Sequence, residues 1–236
     1  MNGQPIDERV DGIIAELKAV ANPQSAEGMA RVGIQTSAAL GISIPTLRKM
    51  AKEIGVGHDL ALALWETEIH EARILACYIA DPTQVSEAMM EHWVQDFNSW
   101  DLCDQCCGNL FDRTEFAYKK AIEWSEREEE YVKRAGFALM AWLPIHDKDV
   151  PDRMFTQFFP YIKKGATDER NFVKKAVNWA LRNIGKRNLD LNTLAIQTAS
   201  DIQRLESKAA RWIAGDALRE LTSEKQQARL HKRASK

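Results

Sequence analysis

The feature that most constrains the fold is a helical periodicity that runs from one end of the chain to the other. Apolar residues recur at helical spacing between short polar breaks, and almost no segment alternates as a strand does. Prolines stand where helices would begin and glycines where they would end. These residues are Pro23, Pro45, Pro82 and Pro151, and Gly41, Gly55 and Gly165.

The pattern predicts an all-α protein made of many helices with short connectors. Such helices are typical of stacked antiparallel pairs, as in an α-solenoid of HEAT type, and a compact all-α bundle is the alternative. No linker rich in Gly, Ser or Pro interrupts the chain, so we expect a single domain over residues 1–236. The candidate helices lie near 6–21, 23–38, 44–54, 58–66, 69–80, 82–95, 99–112, 114–125, 128–144, 150–163, 168–185, 189–203, 205–221 and 223–233.

Three observations exclude other classes of protein. No run approaches the ~20 apolar residues that cross a bilayer, so no membrane helix is expected. The start, MNGQPIDERVDG, has no basic end followed by an apolar stretch, which argues against a secretory signal. Four Cys in 236 residues do not make a disulfide scaffold. We therefore expect a reduced, cytoplasmic protein, and we expect it to be a monomer.

The net charge of -2 conceals an uneven distribution of charge. Residues 161–236 carry 17 Lys and Arg against 8 Asp and Glu, whereas residues 1–160 carry 15 against 26. A basic C-terminal third favours a polyanionic partner, and on stacked helices we expect it to line a concave basic groove. Lys and Arg that only solvate helix surfaces would give the same totals, so composition permits nucleic acid without requiring it.

A carboxylate stands among aromatic and sulfur-containing residues in the segment 98–107. On a helix, Trp100 and Asp104 are four residues apart and share a face, which Cys107 and Phe111 extend. A carboxylate fully buried in such a stripe is destabilising. We therefore expect Asp104 to line a groove or to meet a cation. Pairing with Lys or Arg of the next helix is the alternative to a functional role.

Three closely spaced cysteines raise the question of a zinc site. Cys103 and Cys106 are neighbours on a helix, but Cys77 is the only Cys besides these and Cys107, and no His follows nearby. A zinc site usually needs a second pair of ligands. Packing as small apolar side chains is therefore the favoured role, and no metal is expected.

The helix predicted over residues 167–185 sets a tryptophan in a basic stripe. Around Trp179, the cations Lys175, Arg182 and Lys186 fall at -4, +3 and +7, on the side away from the apolar residues. Cations that meet phosphates beside a ring that meets sugar or base suit nucleic-acid binding. The alternative is a surface Trp covered by lysine stems.

Arg134 is a candidate on another helix. Val132, Gly136 and Leu139 share an apolar face, and Arg134 points largely away from it. Glu130 is the i-4 neighbour of Arg134, so the residues alone favour an ordinary surface ion pair.

Taken together, these segments resemble the AlkD-type DNA glycosylases, the HEAT-repeat-like alkylpurine repair enzymes. The resemblance covers most of the chain, from about residue 22 to residue 214. It rests on fragments in a shared order, namely Asn22-Pro23, Ala26-Glu27, Met29-Ala30-Arg31, Gly41-Ile42, Trp100-Asp101 with Asp104, Arg134-Ala135, Phe172-Val173, Lys175-Ala176 and Trp179-Ala180-Leu181-Arg182.

The resemblance implies roles for single residues. Trp100 and Asp104 match the aromatic residue and the carboxylate of the family's catalytic cleft, and Trp179 matches its second cleft tryptophan. Arg134 matches an arginine that holds the DNA backbone near the lesion. Further phosphate contacts are expected from Arg31, Arg48, Lys175, Arg182 and Lys186.

The resemblance also implies an activity. The family hydrolyses the N-glycosidic bond of cationic alkylpurines, such as 3-methyladenine and 7-methylguanine, in duplex DNA. It does so without obligatory flipping of the base, the route that most glycosylases take. Asp104 would stabilise the developing sugar cation and position the attacking water. No metal or cofactor is implied, and the expected partner is alkylated double-stranded DNA.

Two other functions stay open. Ser99 stands where characterised members often have Trp, Val32 stands where an aromatic residue is expected, and some relatives bind branched DNA without glycosylase activity. One alternative is therefore a non-catalytic binder of damaged or branched DNA. The other is a HEAT-type scaffold for protein interactions.

Overall fold

A computed structural model of the chain describes residues 4–235, and all regular structure in that range is helical. The all-α prediction is confirmed. No helix within this range is long and apolar enough to cross a membrane. Contacts along the chain group into two compact units, the first ending at Thr114 and the second beginning at Glu115. The single-domain organisation stays a prediction, as does the concave basic groove.

The first unit is organised around one buried helix. Helices α3, α4 and α7 all contact α5, and nine of the ten α5 residues are buried. Below them, the rings of Trp65 and Trp93 stack with centroids 3.9 Å apart and planes 2° apart. The helices are α1 (Ile6–Ala19), α2 (Pro23–Arg31), α3 (Ile44–Ile54), α4 (His58–Trp65), α5 (His70–Ile79), α6 (Glu87–Gln95) and α7 (Trp100–Asn109), with 3-10 turns at Pro82–Gln84 and Phe111–Arg113.

The second unit is organised around two long helices. Helix α9 packs against α8 and α12, and α12 also contacts α13 and α14. Gly136 of α9 lies against α8 so closely that an added Cβ would be 2.3 Å from the Ser125 backbone nitrogen. The helices are α8 (Ala117–Ser125), α9 (Glu130–His146), α10 (Arg153–Thr156), α11 (Phe159–Gly165), α12 (Asn171–Gly185), α13 (Leu189–Gln203), α14 (Lys208–Leu221) and α15 (Glu224–Ala234).

Proline and capping residues set several helix starts as predicted. Pro23 and Pro45 stand in the first turns of α2 and α3, where the missing N–H costs nothing. The side chains of Asn22 and Ser43 cap these two helices by accepting backbone N–H groups. At the other end of α3, Gly55 follows the last helical residue with φ 77°.

Three predicted helices are wrong in extent. The helix predicted over 82–95 begins at Glu87, after a 3-10 turn at Pro82–Gln84. The helix predicted over 23–38 ends at Arg31, and Gly33 follows with φ 81°, a left-handed conformation that a helix cannot continue through. The helix predicted over 150–163 is broken into α10 and α11. Pro160 lies in the first turn of α11, where its ring would clash with a preceding turn if the helix were continuous.

Candidate functional site

Helix α7 presents the predicted tryptophan and carboxylate on one face. Trp100 is the first residue of α7, and its Nε1 donates a hydrogen bond to the carbonyl of Val32, 3.1 Å away at the end of α2. Asp104 lies one turn further on. Both side chains are partly exposed, whereas Cys103 and Cys107 beside them are buried. Asp104 therefore lies outside the hydrophobic interior, and the expected catalytic role requires that exposure.

The negative charge of Asp104 acts on its buried neighbours. Burial raises the pKa of the Cys107 thiol well above its ordinary value, and Cys103 and the Asp104 carboxylate raise it further. Burial likewise raises the pKa of Cys106, with help from Cys77. All four cysteines are buried and free, consistent with packing. Among residues 4–235, no group of His, Cys, Asp or Glu is arranged to hold a metal ion.

A buried histidine–carboxylate contact, which the sequence analysis missed, fixes the start of α7. Nε2 of His70 lies 2.8 Å from Oδ2 of Asp101, and both residues are less than a tenth exposed. Burial by itself would raise the pKa of Asp101, but the hydrogen bond with His70 outweighs it and holds that pKa below its ordinary value. The pair ties the first turn of α7, and hence Trp100, to the first turn of α5.

A second buried carboxylate shapes the loop before α3. Glu71 is fully buried, and its two oxygens accept backbone N–H groups of Leu40, Gly41 and Ile42 at 2.7–3.2 Å. Gly41 has φ 76°, and an added Cβ there would lie 2.1 Å from the carbonyl oxygen of Asn22. Gly41, predicted to end a helix, instead gives this loop its turn towards α3.

The two phosphate-binding cations predicted in the first unit both lie on the surface. Arg31 is the last residue of α2 and is exposed. Arg48 on α3 is also exposed, and its guanidinium lies 5.9 Å from the ring centroid of Tyr78. The Tyr78 hydroxyl in turn donates to Oε1 of Gln105, 2.6 Å away and next to Asp104 in sequence. These contacts connect Arg48 to α7 through Tyr78 and Gln105, which the sequence analysis did not single out.

In the second unit, Trp179 belongs to an aromatic cluster. Its ring meets Trp142 of α9 edge-on, with centroids 5.2 Å apart, and Trp142 stacks on His146 at 4.9 Å. Trp179 and Trp142 are both partly exposed, and the buried Trp142 Nε1 has no acceptor among the described residues. Trp142 and His146 are four apart on one helix, a spacing that was visible in the sequence.

The cations beside Trp179 differ in their partners. Arg182 is paired with Glu220 and with Asp216 of α14, and Nζ of Lys186 lies 3.4 Å from Glu220. Lys175 is exposed and forms no hydrogen bond or ion pair with any described residue. The stripe therefore exists, but two of its three positive charges are partly neutralised by α14.

Arg134 lies elsewhere than its sequence pattern indicated. It is only 5% exposed, and its Nη1 donates to the carbonyl of Phe172, 2.6 Å away in the first turn of α12. The expected surface ion pair is therefore wrong, because Arg134 is buried and its long side chain reaches across to α12, while Gly136 lies against α8. The guanidinium holds the start of the helix that carries Trp179.

The comparisons with known proteins assign the chain to a family. Residues 13–221 match the family model described as DNA alkylation repair enzyme. The chain belongs to the DNA alkylation repair enzyme family. Trp100, Asp104 and Trp179 all lie within the matched residues of this family.

A solved structure shares the fold of this family member at low sequence identity. It is described as a new family of proteins related to the HEAT-like repeat DNA glycosylases with affinity for branched DNA structures. The match has a TM-score of 0.74 and 20% identity, and it covers 93% of this chain and 95% of the other. The predicted HEAT-like helical fold is therefore confirmed. No curated protein matches the chain.

Proposed function

We propose that this member of the DNA alkylation repair enzyme family is a monofunctional glycosylase for cationic N3- and N7-alkylpurines in duplex DNA. The observation that carries the proposal is the pair on α7, a partly exposed Asp104 one turn from a partly exposed Trp100. Residues 13–221 match a family of DNA alkylation repair enzymes, and a carboxylate beside an aromatic ring suits that chemistry.

The residue types suit the bond that has to break. Alkylation at N3 or N7 makes the purine cationic, so the purine takes the electron pair of the glycosidic bond and leaves neutral. The sugar left behind has oxocarbenium character. The Asp104 carboxylate stabilises that positive charge and orients a water, whose oxygen bonds to C1′ as the purine departs. The proton released by the water passes to Asp104 or to solvent, and the reaction needs no cofactor.

The two tryptophans supply surfaces for the sugar and base. The indole N–H of Trp100 is already donated to Val32, so the ring itself is what remains for a ligand. The face of an aromatic ring attracts an electron-poor deoxyribose in the same way as it attracts a cation. We propose that Trp179 also contacts the DNA, with its ring set by the edge-on contact with Trp142.

The basic residues divide by their surroundings into two proposed roles. Arg31, Arg48 and Lys175 are exposed and would contact phosphates directly. Arg182 and Lys186 face α14 carboxylates and would contribute less. Arg134 is a positioning residue, since it acts on DNA through the start of α12. A monomeric state and a cytoplasmic location complete the proposal.

Release of the free base tests the proposed activity. Purified protein is incubated with methylated duplex DNA, and liberated 7-methylguanine and 3-methyladenine are measured by mass spectrometry. We expect wild type to release both bases and Asp104→Asn to be slower by about 100-fold, since one preorganised electrostatic group is worth about 3 kcal/mol. Asp59→Asn, an exposed carboxylate on α4, is the matched control and should behave as wild type. Absence of release by wild type, or equal rates for the two variants, would overturn the proposal.

A second candidate function is binding to branched DNA without catalysis. The observation that favours it is the shared fold with a protein described as having affinity for branched DNA structures. Tight binding to a four-way junction, with no base released from methylated duplex, would support this candidate over the first.

A further inference from the structure

The second unit contains a basic cavity that the proposed chemistry does not use. Its volume is about 1010 Å³, and it lies where the ends of α9, α12 and α14 meet α15. Helix α15 begins after Leu221, the last residue that the family model matches. Glu220 is the one carboxylate among the described residues of the wall. The cations of the wall are Lys148, Lys186, Arg187, Lys225, Arg229 and Arg233.

Some of these cations build the wall. Arg187 donates to the carbonyls of Pro144, Asp147 and Lys148 at 2.7–3.0 Å, so its guanidinium holds the chain that follows α9. Nζ of Lys186 lies 3.4 Å from Glu220. These contacts occupy the cations deepest in the wall and fix its shape.

Three of the other four cations are available to a ligand, whereas Nη1 of Arg233 donates to the carbonyl of Lys186, 3.2 Å away. Lys148, Lys225 and Arg229 are exposed, and none of their side chains forms a hydrogen bond or ion pair with a residue that the structure describes. Lys225, Arg229 and Arg233 follow one another at intervals of four on α15, so they make one stripe. Like charges at this spacing repel each other, and an anion in the cavity would relieve that repulsion.

A buried amide also points to a missing acceptor. Gln226 lies on the wall, is 6% exposed, and its Nε2 finds no acceptor within residues 4–235. A buried donor without an acceptor is destabilising, and a phosphate oxygen is an acceptor. The neighbouring cations and this amide together make a site for a phosphate-bearing ligand.

We propose that this cavity binds backbone phosphates of DNA, alongside Trp179 of α12. The stripe from Lys225 to Arg233 extends over eight residues, or about 12 Å, which suits successive phosphates better than one small anion. Lys186 on the wall is seven residues, about 10 Å along α12, from Trp179. That distance corresponds to about three base steps of a duplex, so one DNA molecule spans both. This proposal rests on the proposed function, because the ligand of the cavity is the DNA that the family repairs.

A pair of charge reversals on α15 tests the proposal. Arg229→Glu changes the cavity wall, whereas Lys232→Glu makes the same change in charge on the same helix at an exposed residue off the wall. Binding of an undamaged fluorescein-labelled duplex is measured by anisotropy at several salt concentrations. We expect Arg229→Glu to weaken binding about 10-fold and to lower the slope of log K against log salt by about 1. Lys232→Glu should stay within about twofold of wild type.

The outcomes separate the cavity from the catalytic proposal. Equal effects of the two reversals, or no effect of Arg229→Glu, would overturn the cavity as a DNA site. Sodium tripolyphosphate, titrated calorimetrically, supplies a second arm: if Arg229→Glu loses tripolyphosphate but keeps full DNA affinity, the ligand is a free anion and the proposal fails. If Arg229→Glu alone loses DNA affinity while wild type releases no base, the cavity stands and the glycosylase proposal fails. Equal melting temperatures of the two variants show that both are folded.

Discussion

Helices α12 and α15 of the second unit carry similar stripes of cations and differ in what faces them. On α12, Arg182 and Lys186 are paired with Asp216 and Glu220 of α14. On α15, Arg229 lines an open cavity and has no partner among the described residues. Two stripes that look alike in sequence therefore offer different amounts of free charge, and the packing of α14 decides which one is available to a polyanion.

The difference also separates stability from binding. A cation held by two part-buried carboxylates contributes to folding, because removing it leaves those carboxylates facing each other. An exposed cation without a partner contributes little to folding and remains available to phosphates. The α12 pairs and the α15 stripe should accordingly respond to substitution in opposite ways.

The largest expected effect is on stability. Arg182→Leu should lower the free energy of unfolding by about 2 kcal/mol, because it removes the guanidinium between Asp216 and Glu220, which are part-buried, four residues apart on α14 and then left to Arg219 and Lys186. Arg229→Leu should change it by less than about 0.5 kcal/mol. Urea denaturation of both variants measures the two values, and equal losses would remove the distinction between the helices.

A smaller effect is expected on DNA affinity. Glu220→Gln removes the carboxylate that pairs with both Arg182 and Lys186, and so makes α12 resemble α15. Affinity for duplex DNA should rise about threefold, and its salt dependence should steepen by about one phosphate contact. Glu224→Gln, which adds the same charge at an exposed residue of α15, is the control and should change affinity less. Weaker binding by Glu220→Gln would contradict this interpretation of the α12 pairs.

The smallest effect is on the pH dependence of stability. Burial by itself would raise the pKa of Glu220, but Arg182 and Lys186 outweigh it and hold that pKa below its ordinary value. A carboxylate with a depressed pKa stabilises the folded state above its unfolded pKa of about 4.3, and this contribution is lost as the pH falls through its folded pKa. Melting temperatures between pH 7 and pH 3 should therefore fall less steeply for Glu220→Gln than for wild type. Parallel curves would show that the pair adds nothing to folding.

Much of the fold could be predicted from the sequence, because its signals are local. Pro23 and Pro45 mark helix starts through a missing N–H and a fixed φ, which need no tertiary information. The partial exposure of Trp179 followed from helical spacing alone. The extent of α2 was missed since Gly33 ends it within an otherwise helical pattern.

The partners of charged residues could not be predicted in the same way. Arg182 meets carboxylates 34 and 38 residues away, and Arg134 meets a carbonyl 38 residues away. Periodicity along one helix places a side chain on a face but does not say which residue of another helix lies opposite. His70 and Asp101 pair across 31 residues for the same reason, and neither carried a sequence signal of its own.

The central proposal is that Asp104 and Trp100, one turn apart on α7, act on the same damaged nucleotide. A double-mutant cycle on the rate of 7-methylguanine release under single-turnover conditions tests it most directly, with Asp104→Asn, Trp100→Ala and the double variant. When two residues act as a unit, replacing either one removes most of the effect of both. The double variant should therefore be little slower than Asp104→Asn alone. Losses that multiply in the double variant would show that the two residues act independently, and would contradict a shared site.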